Sequence, residues 1–401
     1  MGNNSVRRMY VTFAFWGDSY IDSFLNYSLP SILAAENLPY LSQRIETVLL
    51  IYTDEAGYSR INANDTFSRL NSLPNVKVEY IDANITLKER LDRSSQALQK
   101  QAGLLNKSVN VAVKISELES ATIDGNDHNY NNLILTCCNF DALRIASSEN
   151  CPCIFLGPDG VYSRSTLRYV WEALSLGKRA FLSSHLRANE IPGREVCDSL
   201  ARHDDNVKII DMHGRRLVRL GLDHMHRVSQ SMFWPEIYTT YDNKKHIFSN
   251  NATQLYCQVD NDTVLQRNFT LHPLMLYPVE PVVRHGFLSI DMSLIRHAVK
   301  DYNSVFVCSD SDLQMTIDLT PESYQGFDKH LSDGEPNYSE IARWFWIHND
   351  GFHERFMRTP VVLHSEEAVN QHKLKEMIST TTSVIDKITS TVNEMHSANL
   401  L

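Results

Sequence analysis

The chain has 401 residues, 43% of them hydrophobic, with 38 basic against 48 acidic side chains for a formal net charge of −10. That size can bury a large core over two or three domains, and the acidic balance speaks against nucleic acid as the main partner, because phosphate neutralisation needs a basic face. No window of about 18 uninterrupted apolar residues is present to span a bilayer, so the expected setting is cytoplasmic, or peripheral to the inner face of a membrane.

Arg7 and Arg8 precede a brief apolar run without a small-residue cleavage site, which reads as a strand and not as a signal peptide. The seven cysteines include Cys137-Cys138 and Cys151-x-Cys153, but neither has a second pair at zinc spacing. Reduced, buried thiols are therefore expected. Asn-x-Ser/Thr triplets, as at Asn64, Asn84 and Asn268, are idle without secretion.

In chain order, residues 9–15 are rich in β-branched and aromatic side chains and predict a strand that ends at Trp16-Gly17-Asp18. A helical pattern over 19–36 follows, interrupted by Pro30. Residues 46–52 predict a second strand with Thr53-Asp54-Glu55 at its end, then come a helix over 58–73 and a third strand over 76–81. Polar, helix-favouring sequence fills 87–105, and a further helix is predicted over 131–148. The stretch 151–167 then gives an apolar strand, Ile154-Phe155-Leu156, a turn Gly157-Pro158-Asp159-Gly160, and a helix opening at Ser163 and running to Leu176. Another strand is predicted over 178–183. Strands alternating with helices need crossover connections, hence a largely parallel sheet. In such open sheets the ligand crevice lies outside the carboxyl ends of the strands. Asp159, at the end of one, is the first candidate for chemistry, although Pro, Asp and Gly are also what an ordinary turn selects.

The character of the sequence changes near 185–210. The expected organisation is a Rossmann-like nucleotide-binding half over 1–205, a mixed α/β acceptor or cap half over 206–364, and an amphipathic C-terminal helix over 365–401. Residues 213–226 read as a basic helix with Arg215, Arg216 and Arg219 on its early turns, facing an anionic ligand or solvent. Short strand-like runs follow at 254–259, 264–271, 305–308 and 314–319. In the tail, Ile378, Thr381, Ile385, Ile388, Val392 and Met395 recur at heptad spacing. That face suits either a seam between two copies, giving a homo-oligomer, or a helix docked on its own protein.

Asp-x-Asp occurs at Asp260 to Asp262, which has the look of a hairpin turn, and at Asp310 to Asp312, directly after an apolar run. Paired carboxylates of this kind hold hard divalent cations that themselves grip a diphosphate. His272, placed at the end of the strand over 264–271, offers a nitrogen to a metal or a phosphate, though lone histidines beside apolar runs are more often structural. The patch from Trp344 to Asp350, with His348 inside it, suits stacking on a sugar or base and suits a core equally. No Gly-x-Ser-x-Gly, Walker loop or Gly-x-Gly-x-x-Gly is present, which disfavours P-loop and dinucleotide-dependent enzymes.

Phe15-Trp16-Gly17 with Tyr20, Leu156-Gly157-Pro158-Asp159 with Val161-Tyr162-Ser163, and Leu271-His272-Pro273-Leu274-Met275 together resemble a group of bacterial glycosyltransferases of GT-A type, over residues from about 10 to 320. The resemblance implies a GT-A-like, Rossmann-type sheet and transfer of a sugar from a nucleotide-sugar donor to a saccharide or other hydroxyl acceptor, in bacterial surface-glycan synthesis. It implies that Phe15, Trp16, Gly17 and Asp54 line the nucleotide. It also implies that Asp159 and His272 are catalytic and hold a divalent cation, Mn²⁺ or Mg²⁺, with Asp310, Asp312 and His348 as lower-ranked alternatives. The middle motif departs from the pattern, because Gly157-Pro158-Asp159 offers one carboxylate instead of two. Two other readings stay open: a non-catalytic nucleotide- or glycan-binding module assembling through its C-terminal helix, and another nucleotide-dependent transferase such as a nucleotidyltransferase.

Overall fold

The apolar runs of the first half become β1 (Arg8–Ala14), β2 (Glu46–Thr53), β3 (Val76–Asp82) and β4 (Cys153–Leu156), followed by β5 (Gly160–Tyr162), β6 (Ala180–Leu182) and β7 (His185–Asn189). The second half adds β8 (Arg202–Asp204), β9 (Val207–Ile209), β10 (Gln254–Asp260), β11 (Thr263–Asn268), β12 (Pro273–Leu276), β13 (Val305–Val307), β14 (Thr316–Thr320) and β15 (Val361–His364). The structure, a computed structural model, describes residues 6–84, 128–234, 249, 252–270, 272–280, 292–324, 337–348 and 352–398. The helix-favouring run at 87–105 lies outside the described residues.

Seven strands form one sheet in the order β13-β6-β12-β4-β1-β2-β3. Neighbours run parallel except β12, which lies antiparallel between β4 and β6. Strand alternation buries both faces. Met9, Val11 and Phe13 join one core with the helices Glu55–Asn62 and Thr166–Ser175, while Tyr10 and Ala14 join another with the helix His128–Ser148. This is the mostly parallel α/β sheet flanked by helices, with a C-terminal helix, that the alternating runs imply. Because β12 begins at Pro273, His272 precedes a strand instead of ending one. The interruption expected at Pro30 falls earlier, as a π-helical turn over Phe24–Ser28; Pro30 sits in the first turn of the short helix Leu29–Ile32, where its missing N–H costs nothing. Cys151, Cys153, Cys197, Cys257 and Cys308 are buried thiols.

The tail forms the helix Gln371–Ser397, opened by the Asn370 side chain accepting from the Lys373 amide. Its heptad face turns inward: Thr381, Ile385 and Ile388 are fully buried, and Val392 and Met395 nearly so, in a core shared with β10, β11 and the helix Tyr338–His348. That face is spent on the chain's own core and is unavailable as a seam between copies. Thr381 interrupts the apolar pattern for a reason visible here. Arg267 on β11 is 1% exposed, and its guanidinium donates to Thr381 Oγ1 at 3.1 Å, to the carbonyls of Arg358 and Ile378, and to Thr382 Oγ1. Burial pushes its pKa down to about 10, so these oxygens are what keep the charge tolerable inside the core. Arg267→Ala would leave a cavity and strip donors from buried oxygens, and should cost about 3–5 kcal/mol in a denaturant titration. A loss below about 1 kcal/mol would show that the arginine does not tie the tail down.

Candidate functional site

Three short strands stand beside the carboxyl edge of the large sheet in the order β5-β14-β7. The central strand sets the register: Ile317 pairs with Leu186 and Val161, and Asp318 pairs with Arg187 and Gly160. Side chains alternate across a strand, so Ile317, Leu186 and Val161 enter the core fully buried. The opposite face carries Thr316, Asp318 and Thr320 from β14, His185 and Arg187 from β7, and Tyr162 from β5. A sheet that is apolar on one side and ionisable on the other is positioned to face a ligand.

Asp159 enters this face from the turn after β4, held by a hydrogen bond from the Leu319 amide to its carbonyl at 2.9 Å. The turn is braced at Gly157. The Gly157 amide donates to the Tyr162 hydroxyl at 2.6 Å, and Ser28 Oγ, from the π-helical turn, donates to the Gly157 carbonyl at 3.0 Å. The Asp159 carboxyl is half-buried, and its pKa is raised, chiefly by burial and then by the charge of Asp318, with Arg187 opposing. Arg187 Nη2 lies 3.8 Å from Asp318 Oδ2, and its Nη1 donates to Thr320 Oγ1 at 3.2 Å. Tyr20, in the helix Asp18–Ser23 that follows β1, completes this side. Burial first and Asp159 next push its hydroxyl up to about 12.

On the other side of Asp318 lies His185, lowered to about 4 by burial and, less strongly, by His272 and Arg187. The His185 and His272 rings stand 6.1 Å apart, and His272 Nε2 is 2.9 Å from Thr270 Oγ1. They line a small recess with Leu182, Ser183, Gln254, Asn268 and Thr270. Asp318 and Arg187 thus act on both Asp159 and His185, and His185 in turn neighbours His272.

The residues expected to line the nucleotide sit at the carboxyl ends of β1 and β2. Phe15 is buried and stacks on Phe24 at 4.6 Å, whereas Trp16 is half-buried. Gly17, exposed, has φ +78, a conformation that favours glycine, and opens the helix Asp18–Ser23. Asp54 caps the helix Glu55–Asn62, its Oδ1 accepting from the Gly57 amide at 2.7 Å. His348 is the last residue of the helix Tyr338–His348.

Asp310 and Asp312 gather with a residue the sequence reading missed, His364 at the end of β15. One ligand atom from each lies within 4.8 Å of the others, a spacing that could hold a metal ion. The group is also complete as an ion-pair network. His364 Nε2 is 2.9 Å from Asp310 Oδ1 and its Nδ1 2.7 Å from the Glu366 carbonyl, so with an acceptor at each nitrogen the ring carries both protons. The bond to Asp310 raises the His364 pKa. Burial works against the Asp310 carboxylate, but the His364 bond and the Asp312 amide hold its pKa below the ordinary value. Arg215 forks onto Asp312 at 2.8 and 2.6 Å. The helix carrying Arg215 can come this close because Gly214 has no side chain: a Cβ there would meet the Ser311 carbonyl at 1.9 Å.

Beside the site, His226 is 1% exposed, with Nδ1 accepting from the Val228 amide and Nε2 3.1 Å from the Pro321 carbonyl. Burial lowers its pKa to about 4. Above pH about 6.5 it is neutral folded and unfolded; as pH falls toward about 4 only the unfolded chain takes up the proton, so stability is lost through that window. The melting-temperature advantage of the wild type over His226→Gln should shrink between those values. A gap that stays constant with pH would contradict the assignment.

No family model matches the chain, and no curated protein matches it either. Among solved structures, apo mouse xyloside xylosyltransferase 1 aligns with 44% of this chain and 53% of its own at 12% identity, with a TM-score of 0.27. The chain spans about half the length of that protein, and a likeness at this level carries no functional argument.

Proposed function

We propose that the chain is a glycosyltransferase moving a sugar from a nucleotide-sugar donor to a saccharide or other hydroxyl acceptor. The observation that carries the reading is the Asp159 carboxylate, set beside Arg187 at the carboxyl end of β4 in an open, largely parallel sheet, where no other described residue donates it a hydrogen bond. Breaking a bond to a nucleoside diphosphate requires that the leaving charge be neutralised. Arg187 on β7, half-buried and with its Nη2 3.8 Å from Asp318 Oδ2, is a cationic group within the same cluster.

A divalent cation fits the same position. Asp159 offers a hard oxygen to which no other described residue donates, and such cations are commonly held by one or two carboxylates, the remaining places going to phosphate oxygens and water. When bound, it would supply further neutralisation of the diphosphate. In this reading Trp16 presents an aromatic face to the nucleotide, Asp54 fixes the loop after β2 through its cap, and Tyr20 borders the diphosphate. His185 and His272 lie on the acceptor side, so the acceptor would be met by residues of both 1–205 and 206–364.

The test is product analysis of a panel of nucleotide sugars incubated with the protein, with and without saccharide acceptors and Mn²⁺. Release of free nucleoside diphosphate supports glycosyl transfer. Pyrophosphate would indicate a nucleotidyltransferase, and binding without turnover would indicate a non-catalytic module.

A further inference from the structure

The recess beside His185 lies where four strands begin or end. Leu182 closes β6, His185 opens β7, Gln254 opens β10 and Asn268 closes β11, with Ser183, Thr270 and His272 in the connecting chain. Gln254 and Asn268 are directly paired across β10 and β11, and they are only 1% and 7% exposed. We propose that this recess is a binding site for an uncharged sugar, held by its hydroxyl groups through Gln254, Asn268, Ser183 and His185. That the sugar is the acceptor rests on the glycosyl-transfer reading; whether it binds there does not.

Each of the two amides has one polar end engaged and one not. Gln254 Oε1 accepts from Thr253 Oγ1 and Asn268 Oδ1 accepts from Gln266 Nε2 at 2.6 Å, whereas neither amide nitrogen has a partner among the described residues. Buried side-chain amides are normally satisfied, and two others in this chain are. Asn37 donates to the carbonyls of Ser31 and Ser163 and accepts from the Leu167 amide, while Gln314 accepts from the Ser184 amide and donates to Thr316 Oγ1. Gln266 Oε1 is also unmet, but Gln266 does not line the recess. The Ser183 hydroxyl and the His185 ring nitrogens likewise have no hydrogen-bond partner among the described residues.

The chemistry of this set selects the ligand. A sugar hydroxyl both donates and accepts, so it answers either end of an amide, a serine hydroxyl and a neutral imidazole alike, and Leu182 adds an apolar element that suits the C–H face of a ring. Burial lowers the His185 pKa to about 4, so the ring is uncharged at neutral pH. The lining residues include no aspartate, glutamate, lysine or arginine. A carboxylate or phosphate on the sugar would be enclosed with no lysine or arginine beside it in the recess, which costs far more than enclosing a hydrogen-bonded hydroxyl. A small recess encloses one edge of a ring, so the hydroxyls on that edge decide which sugars bind.

The experiment is titration of the full chain with methyl glycosides of neutral hexoses and pentoses and with methyl glucuronide, in the absence of any donor. Binding is followed by saturation-transfer difference nuclear magnetic resonance, with melting temperature as the check of folding. At least one neutral glycoside should bind the wild type at least tenfold more tightly than the glucuronide does, and Gln254→Leu and Asn268→Leu should each weaken it at least tenfold. If either variant fails to fold, Ser183→Val, at a half-buried position, carries the same expectation. No binding of any neutral glycoside, a glucuronide bound as tightly as the neutral sugars, or wild-type affinity in the folded variants would each overturn the proposal. Release of nucleoside diphosphate from nucleotide sugars, measured separately on the wild type, tests the functional reading, so the two can fail independently.

Discussion

Deleting residues 370–401 should unfold the core that the tail helix shares with β10 and β11, and not merely change the protein's mass. Six apolar side chains of the tail helix, Leu374, Val384, Ile385, Ile388, Val392 and Met395, are buried in that core. At about 1.5–3 kcal/mol each, their loss reaches or exceeds the about 5–15 kcal/mol by which folded domains are stable. Deletion also removes Thr381 and the Ile378 carbonyl from the buried Arg267 guanidinium. Light scattering and near-ultraviolet circular dichroism on the truncated chain separate the outcomes. The account expects lost tertiary signal and aggregation, whereas a well-folded protein of half the original mass would mean that the helix served as a seam between copies.

Asp159→Asn should lower transfer by two orders of magnitude or more without lowering the melting temperature. Asparagine keeps the shape and suits the turn, so the bonds that brace Gly157 survive. It cannot supply the charge that a cation needs. The folded pKa of Asp159 is raised above its ordinary value, first by burial and then by Asp318. The ionised group therefore weakens the fold as pH rises from about 3.8 through that raised value. Replacing it should leave the variant equally or more heat-stable at pH 8, with the difference vanishing in acid. Near-normal turnover would move attention to Asp310 and Asp312, and a cooperative loss of fold would make Asp159 a structural residue.

The sheet was legible because β1, β2, β3 and β4 are apolar or β-branched runs closed by turn residues. β12 was not: it is four residues led by a proline, held between β4 and β6 by pairing that no local pattern signals. β7 was missed for a related reason, since half of His185-Leu186-Arg187-Ala188-Asn189 faces the charged cluster and so lacks the apolar density of a strand. Asp159 could be singled out from strand, turn and helix alone. Its neighbours Asp318 and Arg187 could not, because they meet it through β5-β14-β7 pairing across more than a hundred residues. The one local signal was an aspartate between the apolar Ile317 and Leu319, which marks a strand with a polar face but does not say what that face meets. In the tail the heptad was readable and its partner was not, because the Arg267 guanidinium that donates to Thr381 comes from β11, more than a hundred residues away.

Calorimetric titration of nucleoside diphosphates, with and without Mn²⁺, into the wild type and into Arg187→Gln tests the central claim most directly. The account expects at least one diphosphate to bind the wild type and to raise its melting temperature, since a ligand at ~100 times its dissociation constant adds ~2.7 kcal/mol. Arg187→Gln should bind it at least tenfold more weakly while staying folded. Equal affinity in the two proteins, or no binding of any nucleoside diphosphate by the wild type under either condition, would contradict the placement of a diphosphate beside Asp159 and Arg187.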